Sequence, residues 1–329
     1  YDRMAYWLKP FDYNLYNDNK VVIRVNGFLR LFSGGNIHIH SMFFNLLSFC
    51  GLIALFRFFS KYLSTRRQVL ALGLIFFMPT TLFWGSGILK EGVLLFVLGL
   101  LLWTISKLFD KPLRWWYVFL FWILALLFVK TKIYVVLATI PALVWYVWVH
   151  FFPAKKVSSF ILIHLILAVA AFNFHNLGGN YNLIQLISSK QNDFINMITI
   201  LTRAGSAVEI PILDGSFWSL VKAAPVGLFN ALFRPHIFEC NNLMSLAAAI
   251  ENLFFTTIVF FLIFVFNRKN LSNTLVMFGL SFGIILLIVT GITTPVLGAL
   301  VRYKLPALPF LTTIIIILAD TNRFQKLLN

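Results

Sequence analysis

Long apolar runs separated by short polar stretches organise this chain. A hydrocarbon core about 30 Å thick is crossed by about 20 apolar residues in a helix. Nine segments approach that length: 40–58, 68–84, 91–109, 115–130, 132–150, 158–173, 245–267, 274–291 and 305–319. The pattern predicts an all-α fold, a polytopic transmembrane helical bundle of about nine membrane helices in a single domain over 1–329. Residues 1–39 read as an outer loop with an interfacial helix, 40–173 as six membrane helices and 174–244 as a large outer loop. Residues 245–319 then supply three membrane helices, and 320–329 a cytoplasmic tail. Two stretches outside the nine runs, 20–32 and 215–233, group apolar residues as helices lying in the membrane interface do. Pro225 would kink the second.

Composition supports lipid as the solvent. Hydrophobic residues make up 60% of the chain and charged residues 12%, against about 25% charged in soluble domains. The formal net charge of +16 does not point to nucleic acid, because the basic residues sit in short clusters between apolar runs. Such clusters set membrane orientation. One set of loops holds Arg57, Lys61, Arg66 and Arg67; Lys107, Lys111 and Arg114; Lys155 and Lys156; Arg268 and Lys269; and Arg323 and Lys326. That face is expected to be cytoplasmic, in the cytoplasmic membrane of a bacterium, with the C-terminus inside. Eight of the 11 acids fall on the other face: Asp2, Asp12, Asp18, Glu91, Asp193, Glu209, Asp214 and Glu239. The opening residues are polar and lack a signal-peptide pattern, and one helix upstream of Tyr1 would bring the count to ten. Cys50 and Cys240 lie in unrelated surroundings, and no disulfide is expected between them.

The outer face carries the candidate chemistry. In "FWGSGILKEG" (83–92), Lys90 and Glu91 read either as a tight outer turn with its charges kept out of lipid, or as an acid and a phosphate-binding lysine at a cavity mouth. In "FRPHIFE" (233–239), Arg234, His236 and Glu239 read either as an interfacial anchor or as an anion-binding group, since arginine forks suit phosphate and carboxylate. In "RYKLPALP" (302–309), Arg302, Tyr303 and Lys304 read either as an aromatic and basic belt or as partners of a lipid phosphate. Asp2, Asp12 and Asp18 are ordinary loop acids as bare residues. His38 and His40 form "HIH" without a nearby third ligand, so no metal site is expected. No phosphate-binding P-loop, nucleophile elbow or dinucleotide fingerprint is present.

Taken together, these stretches resemble the GT-C class of membrane glycosyltransferases, which use polyprenyl-phosphate sugars. "YDRMAY" (1–6) resembles the family's catalytic acid motif in its first outer loop. "MPTTLFWGSGILKEG" (78–92) resembles its next outer turn, and "RYKLPALP" the basic and aromatic stretch before a late helix. The resemblance implies Asp2 and Glu91 as the catalytic acids. It implies substrate and phosphate binding by Lys90, Arg234, His236, Glu239, Arg302, Tyr303 and Lys304. The partners it implies are a lipid-linked sugar donor and membrane lipids. No cofactor is indicated; a divalent metal is compatible with the class. The reaction would pass an acceptor hydroxyl proton to a carboxylate while the lipid phosphate departs with inversion. Two alternatives stand beside it: a cell-envelope polysaccharide polymerase or ligase, and a non-catalytic subunit of a larger membrane complex.

Overall fold

The computed structural model describes residues 19–174, 182–196, 198, 206–320 and 323. Every regular element among them is helical, apart from two isolated β-bridges. The α-helices are α1 (Asn19–Ser33), α2 (Ile37–Ser60), α3 (Thr65–Phe77), α4 (Pro79–Gly85), α5 (Lys90–Leu108), α6 (Trp115–Thr131) and α7 (Ile133–Phe151). They continue with α8 (Lys156–Phe172), α9 (Leu183–Asn196), α10 (Phe217–Phe233), α11 (Leu243–Val265), α12 (Thr274–Thr293), α13 (Leu297–Lys304) and α14 (Leu308–Leu318).

Helix occupies each of the nine predicted segments. Seven helices are long and apolar enough to cross a membrane: α2, α5, α7, Pro153–Phe172 around α8, α11, α12, and Leu297–Leu318 formed by α13 and α14. The bent pair α3 and α4 qualifies only when taken as one span, and α6 has 17 residues. The 51° bend between α3 and α4 has a local cause. Met78 is extended, as a residue before proline prefers, and Pro79 then occupies the first turn of α4, where its missing N–H costs nothing.

Glycine sets two of the closest helix crossings. Lipid tails are as apolar as leucine, so helices in a bilayer associate by close packing rather than by hiding apolar surface from water. A Cβ on Gly99 of α5 would overlap the carbonyl of Gly51 on α2, and one on Gly51 would strike the backbone at Leu95 and Phe96. Gly227 of α10 and Gly291 of α12 meet in the same way. The second contact changes the reading of 215–233. It forms one helix through Pro225 and packs one face, burying Ala223, Gly227, Asn230 and Ala231, while Trp218 and Phe229 stay exposed.

The 20–32 stretch does form α1, with Ile23, Phe28, Leu31 and Phe32 exposed, as an interfacial helix would have them. His40 is buried and bonded to Ser33 and Asn26. Among the described residues no group of three potential metal ligands occurs, and both cysteines are free. The basic loops are tied together at one end. Lys61 and Lys107 both pair with Asp110, and Arg67 donates to the Ala319 carbonyl.

Gly99→Val is expected to destabilise the bundle by about 1–3 kcal/mol, because backbone rather than a movable side chain fills the space. Gly73→Ala on α3, where a Cβ meets nothing within 4 Å, is expected to be neutral or stabilising by up to about 1 kcal/mol. Unfolding of both variants in detergent checks the contrast.

Candidate functional site

Glu91 is not in an open turn. It lies in the first turn of α5 and is fully buried, at 0% exposure. Gly87, with φ of 82°, turns the chain into the approach, and its N–H donates to Asn45 Oδ1. Two cations close on the carboxylate. Lys132, the residue between α6 and α7, donates from Nζ to Oε1 at 2.5 Å. Arg302 of α13 donates from Nη2 to Oε2 at 2.7 Å, and its Nε lies 2.7 Å from Oε1 without hydrogen-bond alignment. Lys132 is 2% exposed, while the Arg302 side chain keeps 25%.

Aromatic faces wall this cluster. The Lys132 ammonium sits 4.4 Å from the Tyr303 ring centroid and 5.7 Å from that of Tyr134; the Arg302 guanidinium lies 5.5 Å from Trp84. Desolvated cation–π contacts of this kind contribute up to about 2 kcal/mol. One carboxylate between two cations leaves a single positive charge in excess, and the part of the cluster that reaches solvent is Arg302. A carboxylate with both oxygens engaged by cations is a weak base. The geometry therefore fits Glu91 for holding Lys132 and Arg302 in place rather than for taking a proton.

A second buried polar layer lies next to the first. Lys304 ends α13 inside the protein at 2% exposure. Its Nζ donates to Asn252 Oδ1 at 2.6 Å and to the Ala231 carbonyl at 3.3 Å. Asn252 in turn donates to the Pro235 carbonyl at 2.9 Å. The neighbouring Glu251, 4% exposed, accepts the Thr80 N–H at 2.7 Å, and its other oxygen makes no hydrogen bond within the described protein. These contacts fasten α4, α10, α11 and α13 to one another. They also satisfy an N–H freed by the break before α4.

Between α4, the start of α11 and α13 lies a cavity of about 470 Å³. Its walls include Phe83 and Trp84, its polar groups include Glu239, Asn241 and Asn242, and Val301 lines it from α13. Glu239 is held by Arg234, whose Nε donates at 2.7 Å and whose Nη2 makes a second contact. The His236 N–H donates to the other oxygen. Burial opposes ionisation of Glu239, yet the Arg234 hydrogen bond and charge hold its carboxyl below the ordinary value.

The structure thus brings most of the sequence candidates onto one region. Glu91 joins Arg302. Lys90 opens α5 beside them, and its charge is felt by Lys132. Tyr303 covers Lys132, and Lys304 is linked through Asn252 to the Pro235 carbonyl. Trp84 faces Arg302 on one hand and the Glu239 cavity on the other. Asp2 and the rest of "YDRMAY" lie outside the described residues. Lys132, Glu251 and Asn252 were not singled out from sequence. Comparison with family models, curated proteins and solved structures finds no match.

The charge balance predicts an order of effects. Glu91→Gln leaves the buried Lys132 facing Arg302 with no carboxylate between them and is expected to cost about 3–5 kcal/mol. Arg302→Ala leaves a neutral Glu91–Lys132 pair, and Lys132→Met leaves Glu91 with Arg302, so each is expected to cost less. Unfolding midpoints of the three variants test the order. At the cavity, Glu239→Gln is expected to speed amide exchange across 234–240 at neutral pH. Because folding lowers the Glu239 pKa from 4.5, its contribution is present above about pH 4.5 and lost as pH falls further. The difference between wild type and variant, corrected for intrinsic exchange, is expected to shrink as pH falls below the ordinary carboxylate range.

Proposed function

We propose that this protein is a membrane glycosyltransferase that passes a sugar from a polyprenyl-phosphate donor to an acceptor on the outer face of a bacterial cytoplasmic membrane. The observation that carries the reading is an aromatic-walled cavity with carboxylate and amide groups, adjoining a buried cluster that has one positive charge to spare. Sugars present apolar ring faces and a rim of hydroxyls. Phe83 and Trp84 offer surfaces to the first, and Glu239, Asn241 and Asn242 offer hydrogen bonds to the second. Such a balance of apolar wall and few polar groups is typical of small-ligand sites.

In this reading the Arg302 guanidinium meets the donor phosphate. As the acceptor oxygen bonds to the anomeric carbon, the bond to the phosphate oxygen breaks and its electron pair stays on phosphate. A preorganised cation beside that oxygen stabilises the developing charge. Glu91 and Lys132 fix the guanidinium, so that little reorganisation accompanies the step. The acceptor proton passes to a carboxylate, and the resemblance of "YDRMAY" to the family motif assigns that role to Asp2.

Arg302→Lys and Asp2→Asn are expected to abolish transfer while membrane insertion is retained. Cells lacking the protein supply the assay, with each variant returned to them and the surface glycan mass profile recorded. A restored wild-type profile with both variants would sink the assignment. A ladder of lengths rather than a single added sugar would move it to a polymerase.

A further inference from the structure

A second concavity lies at the opposite, basic end of the bundle, between α8 and α12. It encloses about 660 Å³ and is bounded by Val157, His164, Ser281 and Ile284 along its length and by Arg268 and Lys269 at its mouth. Its length is set by the helices. From Met277 to Ile285 on α12, at 1.5 Å per residue, it runs about 12 Å. Half of a hydrocarbon core is about 15 Å, so the groove has the depth of one leaflet.

The groove's chemistry is divided. Its polar groups along the walls are already spent on each other: His164 Nδ1 donates to the Phe160 carbonyl at 2.7 Å, which leaves Nε2 to accept from the Ser281 hydroxyl at 2.6 Å. What remains inside is apolar. At the mouth, neither Arg268 nor Lys269 makes an ion pair among the described residues, although Lys61, Lys107 and Arg323 on the same face each have an acid. Lys156 donates to Thr274 Oγ1 at 3.3 Å and ties the starts of α8 and α12 together beneath the opening. Two cations without an acid among the described residues, over a leaflet-deep apolar groove, complement one occupant: a lipid with an acyl chain and an anionic headgroup.

We propose that this groove is a binding site for an anionic glycerophospholipid of the leaflet on the basic side. Its phosphate sits on Arg268 and Lys269, and one acyl chain lies between α8 and α12. This site is independent of the outer cavity and of the glycosyltransferase reading, and its test requires no transfer assay.

The probe is phosphatidylglycerol, against phosphatidylcholine of the same chains, added to the purified full chain in detergent. Phosphatidylglycerol is expected to raise the unfolding midpoint more than phosphatidylcholine, and native mass spectrometry is expected to retain it as a bound species. The double variant Arg268→Ala/Lys269→Ala is expected to lose roughly tenfold or more in retention and to abolish the difference between the two lipids. Ile284→Trp, which fills the groove from a partly exposed position, is expected to lower retention with both cations in place. Arg57→Ala/Arg66→Ala, on the same face but away from the groove, serves as the control and is expected to behave as wild type. Equal stabilisation by the two lipids, an undiminished difference in the double variant, or the same loss in the control would overturn the proposal.

Discussion

The contact on which one end of the bundle depends is the carboxylate of Glu91 between Lys132 and Arg302. Taking a charge out of water costs several kcal/mol per ion, and partners recover that cost only with close geometry. Here three ions from the start of α5, the α6–α7 junction and the end of α13 meet within hydrogen-bond distance. Aromatic faces from Tyr303 and Trp84 add electrostatic stabilisation to the two cations. Replacing the set by well-packed apolar residues would be no less stable by this accounting. The cluster is better understood as fixing where a guanidinium points than as a source of stability.

That role connects the cluster to the cavity. Trp84 is placed by α4, whose entry angle is set by the break at Met78 and Pro79. The break frees backbone N–H groups, and Glu251 accepts the one on Thr80. Lys304, two residues beyond Arg302, binds Asn252, the next residue on α11. One short helix, α13, therefore engages both polar layers. A shift of α13 would move Arg302, the Tyr303 ring and Lys304 together.

The apolar helices are legible because lipid imposes a simple demand, a long apolar run; each of the nine predicted runs is helical, and seven helices are long and apolar enough to span a membrane. The candidate site was legible only where charge stood out against its surroundings, as at Lys90–Glu91 and Arg302–Lys304. Lys132 stood out less, because one lysine near a turn has the same sequence appearance as an interfacial anchor. Its partner lies 41 positions away, and the partner's other cation 211 positions further on. Local pattern carries no information about pairing at such separations. Glu251 was hidden for a related reason: it sits within an apolar run, and its function there comes from a helix break that only the fold places beside it. Burial was the quantity misread. "LKEG" has the sequence appearance of a tight turn and "RYK" that of a surface belt, whereas Lys90–Gly92 and Arg302–Lys304 are helical, with Glu91 and Lys304 buried.

The spacing of the three ions along the chain also gives the cluster an order in time. Chains fold largely from the N-terminus as they are made, so Glu91 and Lys132 can meet once α7 is in place. That pair is neutral. Arg302 arrives only with α13, and with it the excess positive charge. Until α13 docks, this cluster in a nascent chain is a neutral pair rather than a cationic centre.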